Sequence, residues 1–147
     1  MNSTLIYLTQ TDTTVGFLSS DDIKLSGAKQ RDPQKKTLQV VSNYKTLNKL
    51  VRVPKNHKKF IRRSKRTTII YPNKLAFRVV SKNSSHQNFL KKFDLMYSTS
   101  ANKTKNNFNE EYAVNNSDII VYTKDEFMEK QASSIYKINK QKIKKIR

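Results

Sequence analysis

Short clusters of β-branched and aromatic residues alternate along this chain with segments of helical spacing, and that alternation constrains the fold more than any other feature. Thr4 to Thr9 (TLIYLT), Thr37 to Val41 (TLQVV), Thr67 to Tyr71 (TTIIY), Leu75 to Val80 (LAFRVV), Leu95 to Thr99 and Asp118 to Tyr122 (DIIVY) have the composition of strands, as do Ile135 to Ile138 and Ile143 to Ile146. The polar run after Thr9, with Gly16, predicts a turn, and the PNK between two of these clusters predicts an antiparallel hairpin with Arg78 inside its second strand. Ser19 to Ala28 opens on SSDD, a helix N-cap signal, and stops near Gly27. Tyr44, Leu47 and Leu50/Val51 recur at helical spacing before Pro54. Lys55 to Arg66 and Gln87 to Phe93 also read as helices, and Asn109 to Val114 as a weaker one. Together these predict an α/β fold, a mixed sheet with helices packed on it. The Lys/Ile tail YKINKQKIKKIR reads as an edge strand with one wet face.

A chain of 147 residues fits one domain, spanning 1–147, that can bury about two-thirds of the surface its unfolded form exposes. It contains no cysteine, which excludes disulfides, thiolate zinc sites and cysteine nucleophiles, and suits a reducing compartment. The apolar run Leu5 to Leu8 is too short for a signal h-region or a membrane span, so a soluble cytoplasmic protein without a membrane partner is expected. Thirty Lys and Arg against eleven Asp and Glu give a net charge of +19. A field of that sign attracts polyanions, nucleic acid or nucleotide, although the same residues could simply fill solvated faces. Lys55 to Arg66 alone has seven cations in twelve residues.

Several chemistries find no support. Asp12, Asp32 and Asp94 lie near motif-like segments, but none has a visible partner for two-carboxylate hydrolysis. His57 and His86 have no acidic residue spaced to orient them, so surface positions are expected for both. With only Gly16 and Gly27, neither a Walker loop nor a GxGxxG fingerprint exists. What remains are three polar clusters at expected strand ends: Thr11-Asp12-Thr13, Lys29-Gln30-Arg31, and Ser98-Thr99-Ser100-Ala101-Asn102. Strand ends are where α/β sheets bind ligands, and cations beside hydroxyls hold polyphosphates, so together the clusters suggest a nucleotide cleft. Singly, they read equally as a cap, a solvated turn and a Ser/Asn turn.

In order and content the clusters resemble the YrdC-like family, which includes the bacterial threonylcarbamoyl-AMP synthases. Gln10 to Phe17 resembles the family's P-T-D-T-x-Y-G-L turn, with Val15 in place of the tyrosine. Lys29-Gln30-Arg31 to Leu38 resembles K-x-R-P-x-x-K-P-L, with Asp32 at the first proline and a one-residue insertion. Leu75 to Val80 resembles the hairpin ending in A-V-R-V-P, Ser98 to Asn102 resembles A-T-S-A-N, and Ser133 to Lys137 with Ile146-Arg147 resembles the closing S-T-V-V-D and L-R.

This resemblance implies a YrdC-like twisted mixed sheet with flanking helices and a basic concave groove, in a short form without the accessory C-terminal domain. It implies an enzyme that joins L-threonine, bicarbonate and ATP into threonylcarbamoyl-AMP, releasing pyrophosphate, with Mg²⁺ bridging phosphate oxygens. The product would feed threonylcarbamoyladenosine modification of tRNA, directly or through a transfer complex. By the same resemblance, Lys29, Arg31, Ser100, Asn102 and Arg147 would bind ATP. Thr13, Arg78, Thr99 and Ser134 would bind threonine, and no side chain would act as a nucleophile. Two other readings are a non-catalytic module that binds tRNA or double-stranded RNA through the basic groove, and a carbamoyl-handling domain like those of hydrogenase maturation proteins.

Overall fold

A computed structural model describes residues 1–124 and 126–147 as a nine-stranded mixed sheet with helices against both faces. In chain order the elements are β1 (Tyr7–Gln10), β2 (Val15–Ser19), α1 (Asp22–Lys29), β3 (Leu38–Val41), α2 (Tyr44–Leu50), a 3₁₀ turn (Lys55–His57), α3 (Lys58–Arg63), β4 (Thr67–Ile70) and β5 (Ala76–Val79). They continue through α4 (Ser85–Leu90), β6 (Leu95–Ser100), α5 (Glu110–Asn115), β7 (Ile119–Val121), β8 (Ser134–Ile138) and β9 (Ile143–Lys145). Across the sheet the order is β7-β1-β2-β6-β3-β5-β4-β8-β9. The pairs β1–β7, β3–β5 and β4–β8 are parallel, and the remaining five are antiparallel.

Strand alternation decides what covers each face. Val41, Phe77, Ile69 and Ile138 point to one side and are sealed by Leu47 of α2 and Ile61 of α3. On the same side Leu8, Val15 and Phe17 pack against Leu25 and Ala28 of α1 and Ala113 of α5. On the opposite side Tyr7, Leu18, Val40 and Met96 bury Phe89 and Leu90 of α4, with Tyr7 and Phe89 in tilted contact at 5.3 Å. α4 covers only one end of that second face. The other end, where β2, β4, β5 and β6 present Gly16, Thr68, Arg78, Ser98 and Ser100, is open and forms the wall of a cavity.

The hairpin Thr67–Val79, Arg78 within β5 and the edge position of β9 follow the sequence pattern. Two expectations are corrected. Gly16 is not in the turn: it lies in β2, opposite Thr9 and Ser100. A Cβ there would stand 2.8 Å from Thr11 Cγ2 and 3.2 Å from the Thr99 carbonyl, so β2 needs glycine for close approach rather than for turning. Both histidines are buried rather than on the surface, His57 at 5% exposure and His86 at 2%. His57 Nε2 lies 2.9 Å from the Asn139 carbonyl, and His86 Nδ1 lies 3.5 Å from Asp12 Oδ1. Asp12 Oδ2 also accepts the Ser81 N–H at 2.6 Å, and Asp94 accepts the Ser42 hydroxyl at 2.9 Å.

Candidate functional site

Each wall of the cavity is positioned by local rules. Asp21 caps α1 by accepting the Lys24 N–H at 3.0 Å, and the helix closes on Gln30, which adopts a left-handed conformation (φ 52°). The Gln30 N–H then reaches the Gly27 carbonyl and the Arg31 N–H reaches that of Ser26, a closure that reverses the chain within one residue. Lys29 and Arg31 therefore leave the end of α1 together. The turn between β1 and β2 is held by the Thr11 hydroxyl, which donates to the Thr14 carbonyl at 2.6 Å and accepts the N–H groups of Thr13 and Thr14 at 3.3 Å. Behind this turn, burial opposes ionisation of Asp12, but the His86 and Ser81 contacts outweigh it and hold the carboxyl below its usual range.

The cavity between these walls measures about 660 Å³. Lys29 reaches its edge from α1, and its ammonium donates to the Ser100 hydroxyl at 2.8 Å, the Asn102 side-chain carbonyl at 3.0 Å and the Ser100 carbonyl at 3.1 Å. All of these acceptors are neutral. Burial, with the Arg31 and Lys35 charges nearby, pulls the Lys29 pKa down to about 8. The Arg31 guanidinium donates through Nη2 to the Thr37 hydroxyl, while its buried Nε has no acceptor. A buried N–H without a partner is costly unless an anion completes it.

Deeper in the cavity, Arg78 is 8% exposed and is held by hydroxyls alone. Its Nε and Nη2 donate to Thr68 Oγ1 at 3.2 and 3.0 Å, Nη2 also to Ser133 Oγ at 2.8 Å, and Nη1 to Thr13 Oγ1 at 3.2 Å. Burial and the Arg147 charge lower its pKa to about 10 against the opposing pull of Asp12. Arg147 joins the same cluster through its Nε, which donates to the Ser133 carbonyl at 3.1 Å. Glu129, Lys130 and Ala132 line the cavity from a segment held by two bonds: the Met128 N–H donates to Gln10 Oε1 at 3.0 Å and the Lys130 N–H to the Thr13 carbonyl at 3.0 Å.

Of the residues expected at a binding site, Thr13, Arg31, Arg78, Thr99, Ser100, Asn102 and Arg147 line this one cavity and Lys29 is bonded into its rim. Ser134 does not. It begins β8 with its N–H on the Arg66 carbonyl, and the pleat turns it to the other side of the sheet from Ser133, the serine that bonds Arg78. Sequence reasoning passed over Ser133, Thr68 and Lys130. Ser133 adjoins the residue chosen, whereas Thr68 and Lys130 reach the wall through pairings no local motif announces.

A cation cluster in which Arg78 is buried, Lys29 and Arg31 are half-buried, and none has a carboxylate in hydrogen-bond contact is a preformed anion site. Two separate cationic centres, Lys29 with Arg31 and Arg78 with Arg147, suit a ligand or ligand pair with two anionic groups. Magnesium is a different matter. Among the described residues no three His, Cys, Asp or Glu come together, and Glu129, the carboxylate in the wall, accepts the Phe108 N–H at 2.7 Å. The described residues of the wall thus form no carboxylate cage.

No protein-family model and no curated protein matches the chain. Solved structures match over nearly all of it. A doubly substituted Sua5 from P. abyssi superposes with a TM-score of 0.80 at 12% identity, covering 98% of this chain and 52% of that one. The same P. abyssi protein complexed with L-threonine gives 0.77 at 11%, covering 97% and 50%, and E. coli YciO gives 0.73 at 12%, covering 97% and 82%. The chain spans about half the length of the Sua5 chains it matches. No helix of the described residues is long and apolar enough to cross a membrane. The nine-stranded mixed sheet with its flanking helices has the fold of the YrdC and Sua5 proteins.

Proposed function

We propose that this chain is a threonylcarbamoyl-AMP synthase-like enzyme, a nucleotidyltransferase that joins L-threonine, bicarbonate and ATP and releases pyrophosphate. The observation that carries this reading is the convergence of two cationic centres on one cavity: Lys29 and Arg31 beside Ser100 and Asn102, and Arg78 beside Thr13 and Ser133. The likeness to a Sua5 whose structure holds L-threonine supports threonine as the smaller ligand.

The chemistry asks for cations and alignment rather than for a nucleophilic side chain. The threonine amine and bicarbonate give a carbamate and water. A carbamate oxygen then attacks the α-phosphorus, the bond to the β-phosphate oxygen breaks, and pyrophosphate leaves with the electron pair. Both reactants are anions that repel one another, so holding them in line is the main barrier. Lys29 and Arg31 would neutralise the triphosphate, Ser100 and Asn102 would supply neutral contacts, and Arg147 would stand near the nucleotide. Arg78 would pair with the threonine carboxylate inside its hydroxyl collar, with Thr13 beside it and Thr99 at the end of β6. Because Lys29 and Arg78 have no carboxylate to release first, their charge is available to the ligand. The mixed anhydride would then supply threonylcarbamoyl for tRNA, directly or through a transfer complex, in a cytoplasmic setting.

Thermal unfolding with added ligands tests this reading. L-Threonine should raise the melting temperature of the wild-type chain, more so with ATP present, and should not protect Arg78→Ala. A melting temperature indifferent to threonine at every ATP concentration would remove the reading.

A further inference from the structure

The sheet divides the charge of this chain in two. Residues 33–93 and 130–147 carry 24 Lys and Arg and not a single Asp or Glu, whereas the remaining segments carry six and eleven. The acid-free segments form β3, β5, β4, β8 and β9, five consecutive strands of the sheet, with α2, α3 and α4. The acid-containing segments form the other four strands with α1 and α5. Pairings across long sequence separations thus gather the cations into one half of the molecule.

Such a pattern opposes folding. In α3, Lys58 and Arg62, and Lys59 and Arg63, are like charges one turn apart, and Lys58 and Lys59 stand in the first turn, where the helix dipole disfavours cations. All four are exposed, together with Lys55, Lys65 and Arg66. A surface serving solubility alone mixes signs. An unmixed one is self-repelling until a polyanion covers it.

The half also has a recess of its own. Asn56, Lys59, Phe60, Arg63, Thr67 and Tyr136 line an open hollow of about 590 Å³. Phe60 and Tyr136 meet there edge to face, with ring centroids 5.1 Å apart. The hollow lies on the opposite face of the sheet from the cavity: along β4, Thr67 borders the hollow and Thr68 the cavity, and along β8, Tyr136 borders the hollow and Ile135 the cavity. Register sets Lys145 of β9 beside Tyr136 on that same face, and Lys145 is exposed.

We propose that this face, centred on Lys59, Arg63 and Tyr136, docks the phosphodiester backbone of a nucleic acid, with the aromatic pair receiving a base or sugar. Five adjacent strands span about 20 Å, the length over which one nucleic-acid strand presents about six phosphates. Exposed ammonium and guanidinium groups supply backbone affinity, and aromatic rings supply stacking without demanding a sequence. Nucleic acid held here leaves the Lys29–Arg78 cavity free, so the inference is independent of the activity proposed above.

The test is fluorescence anisotropy with a labelled RNA hairpin and a DNA hairpin of the same sequence, titrated with the full chain over a range of NaCl concentrations. Wild-type binding should weaken steeply with salt. Lys59→Gln/Arg63→Gln, which changes only exposed side chains, should bind about tenfold or more weakly and lower the slope of log K against log salt by about 1.5–2, the loss of two phosphate contacts. Arg31→Ala should bind within about twofold of wild type, since it faces the cavity. Tighter binding of one hairpin identifies which polymer supplies the backbone, and equal binding assigns recognition to the backbone they share. Unchanged binding by the Lys59/Arg63 variant, loss of binding by Arg31→Ala alone, or displacement by polyglutamate as effective per charge as the RNA would each overturn the proposal.

Discussion

The Lys29 ammonium donates to the Ser100 hydroxyl at 2.8 Å across 71 residues of sequence. That contact joins the C-terminal turn of α1 to the end of β6, and with them the two polar clusters between which a polyphosphate would lie. The lysine is surrounded by neutral oxygens, and a cation so placed is stabilised by an incoming anion more than by its own protein.

The pH dependence of nucleotide binding follows from this. Lys29 is charged below about pH 8 and neutral above it, so triphosphate affinity should hold from pH 7 to 8 and fall up to about tenfold per unit beyond. Lys29→Met should bind about 10- to 100-fold more weakly at pH 7, the loss of a charged hydrogen bond, and its affinity should no longer change across that range. Calorimetry at pH 7, 8 and 9 measures both effects.

The same group shapes the stability of the ligand-free chain. Between about pH 8 and its ordinary value of 10.5 the unfolded chain holds a proton that folded Lys29 has released, so stability should rise with pH in that window. Lys29→Met should remove the rise. Urea midpoints at pH 8 and 10 report it.

Asp12 has the opposite pH window. Its carboxyl titrates below its ordinary value in the folded chain, so the stability it contributes is complete above that value and is lost as pH falls through the lowered one. Asp12→Ala, which abandons the Ser81 N–H, should cost about 1–3 kcal/mol at pH 7 in urea denaturation and flatten the acid limb of the stability curve.

Gly16→Ala should cost about 1–3 kcal/mol, because the new methyl group meets Thr11 Cγ2 at 2.8 Å and the Thr99 carbonyl at 3.2 Å. Both neighbours belong to the cavity wall, so ligand protection should weaken along with the urea midpoint.

Ser133 and Ser134 give a contrast one residue wide. Ser133→Ala removes an acceptor at 2.8 Å from Arg78 and should weaken threonine-dependent protection by about 5- to 10-fold in concentration. Ser134→Ala, on the other side of β8, should leave it unchanged. Thermal-shift titrations of the two variants decide which serine belongs to the site.

Much of this architecture is written in local pattern. The hairpin around the PNK turn, with Arg78 inside it, and the serine-rich end of β6 were legible because alternation and turn residues mark them. β2 was not, because a glycine among polar residues resembles a turn, and its real cause, Thr11 and Thr99 pressing on the same spot, exists only after the sheet has formed. The buried histidines were misread for the same reason. His86 owes its place to Asp12, and His57 to the carbonyl of Asn139, 82 residues away. Ser134 was chosen over Ser133 because residue type does not determine which side of a strand faces a cavity; register does. Lys29, Arg31, Ser100 and Asn102 were found together because a resemblance supplied the long-range pairing that composition leaves open.

Pyrophosphate release from ATP by the purified chain, followed with threonine and bicarbonate added singly and together, tests the central claim most directly. The account predicts release only when both are present, and its loss in Arg31→Ala and Ser100→Ala. Release that ignores threonine, or none under any combination from a folded chain that binds ATP, would contradict it.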